Sequence, residues 1–290
     1  MPDTHGGNIF KFSHDHKINL SEVTDFSANI NLLGPSPKGL EALNERLRYI
    51  SHYPDVTNDD VMNTIADVYG VEKDSILLGN GAAELLYAVG RLSGFTGAFV
   101  PAPGFSEYQS SMDAANIPVR EIFYRQRQND DGTPYFEVPY LALQTFAAEL
   151  KGQAGRIIVF LGNPNNPDGT LLDKQSIKVL AQMLKDANSL LVIDESFIDF
   201  IGNESLRDNS HSMRELINQY DNIIIVHSFT KFYAVPGLRI GAVFANPTLI
   251  QELRQYIPAW SVNTLAQAYT ESALTDTKYI NAVSYTHLTL

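Results

Sequence analysis

The chain has 290 residues, of which 44% are hydrophobic and 19% charged, a composition typical of a globular enzyme with one large domain or a large and a small one. Its formal net charge of −12, without a basic cluster, argues against nucleic acid and anionic membrane surfaces as partners. The absence of cysteine excludes disulfides and thiolate metal sites, and we expect no bound metal. The first residues lack a signal-peptide profile and no apolar run has the length of a membrane span, which predicts a cytoplasmic protein.

Hydrophobic periodicity predicts alternating helices and strands after an N-terminal arm. Residues 1–40 are rich in Gly, Asn, Ser and Pro and are interpreted as an arm and loops. Strands are predicted at 76–78, 98–100, 119–123, 156–161, 190–193, 223–226 and 240–244. Helices are predicted at 37–47, 59–69, 82–92, 106–115, 140–150, 173–186, 248–257 and 264–274. This alternation predicts an α/β fold with a mostly parallel sheet and helices on both faces, whose ligands bind beyond the carboxyl ends of the strands.

The stretch after the apolar run 223–226 carries a hydroxyl, an amine and a guanidinium, from Ser228, Lys231 and Arg239. A lysine at the end of a buried strand has a lowered pKa, which suits it to act as an imine-forming nucleophile. Arg239 can hold a phosphate through paired hydrogen bonds, with Ser228 as a further donor. Pyridoxal 5′-phosphate (PLP) needs both groups, and the alternative is a surface loop with an ordinary lysine and arginine.

Two turns follow predicted strands and offer polar groups to a ligand. At Gly81, Ala82 and Ala83, free main-chain N–H groups at a helix start would face an anion, although a plain glycine-bearing connection has the same pattern. The segment 162–169 is rich in Asn, Pro and Gly and predicts a rigid turn. The amide of Asn166 can donate from this turn to a phenolate-like oxygen, and the alternative is a turn without a ligand.

Three more side chains are candidates for the same site. Asp194 directly follows a buried strand, where a carboxylate is a metal ligand, a general base or the partner of a buried cation such as a pyridinium. Glu195 is expected to point to the opposite side and to be structural. Phe105 either stacks on a flat cofactor ring or belongs to the core, and Tyr53 lies in a loop from which its hydroxyl could reach a phosphate.

The order of these motifs resembles the fold-type I PLP enzymes of the class I/II aminotransferase superfamily, over residues 5–274. The resemblance implies that Lys231 is the catalytic imine-forming lysine and that Asp194 is the catalytic partner of the pyridinium nitrogen. The other implied cofactor contacts are Gly81, Ala82, Ala83, Phe105, Asn166, Ser228 and Arg239. It also implies a homodimer in which Tyr53 reaches the phosphate in the neighbouring subunit.

The resemblance implies a division into domains as well. Residues 1–45 are expected to form an N-terminal arm and part of a small domain, and residues 46–262 the PLP-binding large domain. Residues 263–290 are expected to begin a C-terminal small domain. This domain is expected to be incomplete, because the resemblance places the carboxylate-binding arginine of the family beyond residue 290. Residues 284–290 show no helical stripe.

Two branches of the family come close, the histidinol-phosphate aminotransferases and the L-threonine-O-3-phosphate decarboxylases of cobalamin biosynthesis. The stretches 5–8 and 25–34 resemble the decarboxylases, with Leu32 in place of the usual proline, and Phe197 replaces a tyrosine of the aminotransferases. The predicted reaction is decarboxylation of L-threonine O-3-phosphate to (R)-1-amino-2-propanol O-2-phosphate, and the alternative is transamination. The candidate contacts to this small phosphorylated amino acid are His5, Gly6, Asn29 and Asn31, of which the asparagines could instead stabilise the loop and His5 could be a terminal residue without a contact.

Overall fold

The computed structural model describes residues 6–150, 155–201, 206–208 and 210–288. The strands are β1 (Ile76–Gly79), β2 (Phe95–Ala102), β3 (Val119–Phe123), β4 (Arg125–Gln128), β5 (Pro134–Glu137), β6 (Arg156–Gly162), β7 (Leu190–Asp194), β8 (Ile223–Ser228) and β9 (Gly241–Ala245). The helices are α1 (Ile9–His16), α2 (Pro37–Arg46), α3 (Asp59–Tyr69), α4 (Gly81–Gly90), α5 (Glu107–Ala114), α6 (Tyr140–Leu150), α7 (Lys174–Asp186), α8 (Phe229–Phe232), α9 (Pro247–Arg254), α10 (Thr264–Ala273) and α11 (Thr277–Leu288).

Seven strands form one sheet in the order β1-β9-β8-β7-β6-β2-β3, and β4 pairs with β5 in a separate hairpin. Within the large sheet β9 is antiparallel to both of its neighbours, whereas the other neighbouring pairs are parallel. The prediction of a mostly parallel α/β sheet is confirmed.

The core lies on both faces of this sheet because successive strand residues point in opposite directions. In β7, Leu191 and Ile193 pack in one hydrophobic cluster, together with residues of α3 and α7. Leu190 and Val192 pack in the other cluster, together with residues of α4, α5 and α9. Strands that are covered on both faces are apolar throughout, which is why their sequences carry no polar alternation.

The polar ends of several strands lie together at one edge of the sheet. Gly79 and Ser228 both pair with Gly241, the first residue of the antiparallel β9, and Gly162 pairs with Asp194. The carboxyl ends of β1, β6, β7 and β8 therefore meet the amino end of β9. The motifs identified in the sequence follow these ends, so the fold brings them to the same place.

The two ends of the chain differ from the sequence-based expectation. Residues 9–16 form α1 inside the predicted arm, and none of its residues is buried, which leaves no apolar stripe to recognise. The C-terminal segment was expected to lack a helical stripe, yet α11 runs to Leu288. Tyr279 and Val283 anchor α11 in the core, whereas residues 284–286 are not part of the core cluster. A helix without a continued apolar stripe can form here because its first two turns pack on a preformed surface.

The N-terminal and C-terminal segments pack together, since α2 contacts α10. Gly39 of α2 lies so close to the ring of Tyr269 that a Cβ there would stand 2.6 Å from Cε2. Among the described residues, no helix is both long and apolar enough to cross a membrane.

Candidate active site

A cavity of about 750 Å³ lies at the polar edge of the sheet, a size that suits a cofactor with a small substrate. Ten of the residues that the sequence nominated line it: Gly6, Asn29, Ala82, Ala83, Phe105, Asn166, Asp194, Ser228, Lys231 and Arg239. They come from segments that are far apart in the sequence, and the sheet edge unites them.

Lys231 lies in the short helix α8, one turn after β8 ends. Burial lowers the pKa of its amine, the positive charge of Arg239 lowers it further, and the carboxylate of Asp194 acts in the opposite direction. The net lowering enlarges the uncharged fraction of the amine, which is the nucleophilic form. Ser228 caps α8, and its Oγ lies 2.8 Å from Oγ1 of Thr230.

The carboxylate of Asp194 is buried and held on both oxygens. Its Oδ1 accepts the main-chain N–H of Ser196 at 2.9 Å, and its Oδ2 accepts the hydroxyl of Tyr108 at 2.9 Å. Burial raises the pKa of Tyr108, and the negative charge of Asp194 adds to this, so the phenol stays a donor. Sequence reasoning did not assign Tyr108 a role, and its one available signal was its position in the helix turn that follows Phe105.

Glu195 points away from the cavity, as expected. It is fully buried and accepts the Ser212 hydroxyl and the Met213 N–H, both at 2.6 Å. Burial raises the pKa of this carboxyl. Two neighbouring carboxylates therefore have different environments because a strand alternates its side chains.

An anion-binding corner forms where α4 begins beside β9. Ala82 and Ala83 of its first turn line the cavity with Ser228 and Arg239. Gly81 has a φ of +80°, and a Cβ there would overlap the guanidinium of Arg239. Glycine is thus required for the arginine to approach the helix start.

The three asparagines of the Asn-Pro turn after β6 have different contacts. Asn163 accepts the N–H of Leu172 through Oδ1 at 2.8 Å, and Asn165 donates to the carbonyl of Pro103 at 3.1 Å. Asn166 is half-buried and lines the cavity. Phe105 lines it as well, with its ring centroid 5.7 Å from that of Tyr108. These contacts also tie the turn after β2 to the turn after β6.

The remaining nominated residues lie in different places. His5 lies outside the described residues. Asn31 does not line the cavity; it is buried, and its Nδ2 donates to the Phe232 carbonyl and the Tyr279 hydroxyl, which favours the loop-stabilising alternative. Tyr53 also lies outside the cavity of its own chain and is 78% exposed, stacked on Trp260 with centroids 4.6 Å apart.

Within the described residues no group of three or more His, Cys, Asp or Glu side chains could hold a metal ion. The cavity lining offers the amine of Lys231, the carboxylate of Asp194 and the guanidinium of Arg239, together with amide and hydroxyl groups.

Residues 21–287 match the family described as aminotransferase class I and II. The chain belongs to this family. Over 95% of its length it is 35% identical to the adenosylcobalamin biosynthesis bifunctional protein CobDQ of Leptospira interrogans, and it spans 30% of that protein. Over 96% of its length it is 32% identical to the threonine-phosphate decarboxylase of Salmonella typhimurium and 28% identical to the histidinol-phosphate aminotransferase of Methanothermobacter thermautotrophicus. It spans 72% and 69% of these two proteins.

The fold agrees with that of solved members of the family. The histidinol-phosphate aminotransferase of Sinorhizobium meliloti in complex with pyridoxal-5′-phosphate superimposes with a TM-score of 0.74 at 22% identity, over 89% of this chain and 66% of that one. This likeness shows the shared PLP fold type I.

The cofactor of this class I/II enzyme is PLP, and the residues of the cavity fit it. The amine of Lys231 lies beside a fixed carboxylate, and a guanidinium, a hydroxyl and a helix start lie together at the anion-binding corner. Gly81 leaves the space that Arg239 needs there, which a Cβ would fill.

Proposed function

We propose that this protein catalyses the PLP-dependent decarboxylation of L-threonine O-3-phosphate to (R)-1-amino-2-propanol O-2-phosphate. The observation that carries the proposal is the composition of the cavity wall: Gly6, residues 27–29 and Phe197 line it. Gly6 and residues 27–29 belong to the two stretches that resemble the decarboxylase branch, and Phe197 replaces the tyrosine of the aminotransferases; in this proposal they contact the substrate.

The relatives support the same choice of branch. Proteins named for cobalamin biosynthesis and threonine-phosphate decarboxylation are 35% and 32% identical to this chain, whereas the histidinol-phosphate aminotransferase is 28% identical. The alternative function is PLP-dependent transamination, as in a histidinol-phosphate aminotransferase or a related class I/II aminotransferase, which the same fold also supports.

In the proposed mechanism the residues of the chain bind, orient and move a proton. PLP, when bound, supplies an electron sink for the bond that breaks at the substrate Cα. Lys231 would hold the cofactor through its amine; once the substrate amine has taken its place, the freed Lys231 in its ammonium form would donate a proton to Cα where CO2 has left. Asp194, oriented by Tyr108 and the Ser196 N–H, keeps the ring nitrogen protonated.

The phosphate and the ring oxygen of the cofactor have separate partners in this proposal. Arg239, Ser228 and the amides of Ala82 and Ala83 would bind the phosphate at the helix start. Phe197 has no hydroxyl to offer, so Asn166 would be the neutral donor to the ring oxygen. Phe105 would stack on the ring.

We further propose that the protein is a homodimer with residues 46–262 as its large domain. Residues 1–45 and 263–290 would belong to an arm and a small domain, consistent with the packing of α2 on α10. Tyr53 would complete the phosphate site of the partner subunit, since it lies outside the cavity of its own chain.

The test uses purified protein and PLP, and it measures the visible absorbance of the bound cofactor first and CO2 release from L-threonine O-3-phosphate second. We expect cofactor absorbance in the wild type and its loss in Lys231→Ala, together with CO2 release by the wild type alone. Cofactor absorbance without CO2, but with amino transfer from glutamate to imidazole-acetol phosphate, would replace the proposal by the aminotransferase alternative. A Lys231→Ala protein with wild-type absorbance would contradict the role of the lysine.

A further inference from the structure

The turn that carries Lys231 is held from outside the sheet through three consecutive main-chain carbonyls. The Lys231 carbonyl accepts the N–H of Asn31 at 3.2 Å, and the Phe232 carbonyl accepts Nδ2 of Asn31 at 2.9 Å. The Tyr233 carbonyl accepts the hydroxyl of Tyr269 at 2.8 Å. Each of these three carbonyls thus has a donor from a distant segment, whereas the Thr230 carbonyl accepts the nearby Val235 N–H at 3.1 Å.

The donors are linked to one another. The hydroxyl of Tyr279 accepts a hydrogen bond from Nδ2 of Asn31 at 2.8 Å. The carbonyls to which this hydroxyl can donate are those of Gly34, at 2.8 Å, and Phe232, at 3.1 Å. The hydroxyl of Tyr269 accepts the N–H of Ser36 at 2.8 Å. Segment 31–36, α10 and α11 therefore meet at the lysine turn in one buried network.

Such external support has a physical reason. Helix α8 spans Phe229–Phe232, a single turn, and the last four carbonyls of any helix lack partners within it. A helix this short is unstable by itself, because it forms too few further hydrogen bonds to offset the free-energy cost of nucleation. Buried carbonyls without partners would weaken it further.

We propose that Asn31, Tyr269 and Tyr279 are positioning residues, which fix the amine of Lys231 in the cavity by holding the main chain behind it. The inference rests on the proposed role of Lys231. It also gives Asn31 a place in the function that differs from the substrate contact expected from the sequence. The position of the amine becomes coupled to the N-terminal segment and to the C-terminal helices.

The test is the double variant Tyr269→Phe/Tyr279→Phe, which removes both hydroxyls and keeps both rings. The readout is the apparent pKa of the Lys231 amine in the cofactor-free full chain, from acylation of the Lys231 peptide by a trace amine reagent across a pH series. We expect the apparent pKa to rise by about half a unit or more toward 10.5, since a loosened turn lets water reach the amine. The charged groups that face the amine, Arg239 and Asp194, stay unchanged in the variant.

The matched control is Tyr140→Phe, whose hydroxyl donates to the Ser176 carbonyl at 3.0 Å, away from the cavity. Tyr140→Phe also removes a hydrogen bond from a tyrosine hydroxyl to a main-chain carbonyl. If these bonds served stability alone, the melting temperature would fall in Tyr140→Phe and in the double variant, and the pKa of Lys231 would stay at its wild-type value in each. An unchanged pKa in the double variant would overturn the inference. Tyr279→Phe alone, and Asn31→Ala, which keeps the main-chain N–H, are the milder variants if the double variant does not fold.

The outcome is separable from that of the proposed function. Absence of cofactor absorbance in the wild type would remove the role of Lys231 in cofactor binding, whereas the labelling comparison uses no cofactor. With absorbance present in the wild type, we also expect the double variant to bind PLP several-fold more weakly than Tyr140→Phe, and equal affinities would count against the inference.

Discussion

Lys231 shows how much of a residue's chemistry comes from its surroundings. Burial is the largest influence on the pKa of its amine and lowers it; the positive charge of Arg239 lowers it further, and the carboxylate of Asp194 raises it. A charged amine in this place costs stability because the folded protein hydrates it less well than the unfolded chain does. Reactivity and stability are opposed at this one atom.

Replacing Lys231 by methionine should therefore stabilise the cofactor-free protein at neutral pH. The folded pKa lies below 10.5, so the unfolded chain binds more protons than the folded one between the two pKa values, and wild-type stability rises with pH in this window. The melting temperature of Lys231→Met should exceed that of the wild type most at neutral pH, and the difference should shrink as the pH approaches 10.5. Thermal unfolding across a pH series measures this.

The control is Lys278→Met, which changes an exposed lysine of α11. It should show no such pH-dependent difference. An advantage of Lys231→Met that stays constant with pH would mean that the buried charge is not its source.

At the scale of elements, the anion-binding corner depends on how closely α4 approaches β9. Gly241 begins β9, and a Cβ there would stand 2.6 Å from the main-chain N of Ala82 and 2.9 Å from its Cα. These are backbone atoms that cannot rotate away. The absence of a side chain on one strand thus sets the position of the helix whose amides face the cavity.

Gly241→Ala should push the start of α4 away from β9. We expect a loss of about 1–3 kcal/mol in the free energy of unfolding from overpacking, and a PLP dissociation constant about tenfold higher because the amides of Ala82 and Ala83 are displaced. Denaturant unfolding and a cofactor titration measure the two effects.

Gly237→Ala is the matched substitution, since a Cβ there meets nothing within 4 Å. It should leave both quantities near their wild-type values. Equal effects of the two substitutions would show that the packing of α4 on β9 does not control the cofactor site.

The whole molecule carries several strongly exposed apolar side chains in its N-terminal part. Phe10, Phe26, Leu32, Ile50 and Tyr53 are 71%, 94%, 86%, 64% and 78% exposed. We expect some of these side chains to contact another chain in the proposed dimer. They include Tyr53, which is proposed to reach the partner subunit.

The proposed dimer predicts that two defective chains can restore one site. Tyr53→Phe should raise the PLP dissociation constant several-fold, and Lys231→Ala should abolish cofactor absorbance. In a mixed dimer, the Lys231→Ala chain supplies Tyr53 to the intact lysine of its partner, so roughly a quarter of all sites should regain wild-type affinity after random exchange. Light scattering establishes the dimer, and absorbance counts the sites. Failure of the mixture to regain any high-affinity sites would place Tyr53 outside the partner's site.

Most elements of the large sheet follow from local sequence. The predicted bounds of β3, α3 and α6 agree with the structure, and Pro118, Asn58 and Pro139, which stand directly before them, mark where each begins. The short hairpin of β4 and β5 escaped notice since its residues are exposed and carry no alternation. The order of the motifs around Asp194 and Lys231 could also be recognised in the sequence, because Asp194 ends one buried strand and Lys231 follows the end of the next by one turn.

By itself, then, the sequence determined the α/β layout, the family and the amine, carboxylate and guanidinium that meet at one edge of the sheet. Only the tertiary structure decided which side chains support them, because those contacts join residues that are far apart along the chain. Tyr108 lies 86 positions from the Asp194 that it orients, and Asn31 lies 248 positions from Tyr279. No local pattern marks a residue whose hydrogen-bond partner is set by the packing of another element, and so the same asparagine that reads as a substrate contact in the sequence holds the lysine turn in the fold.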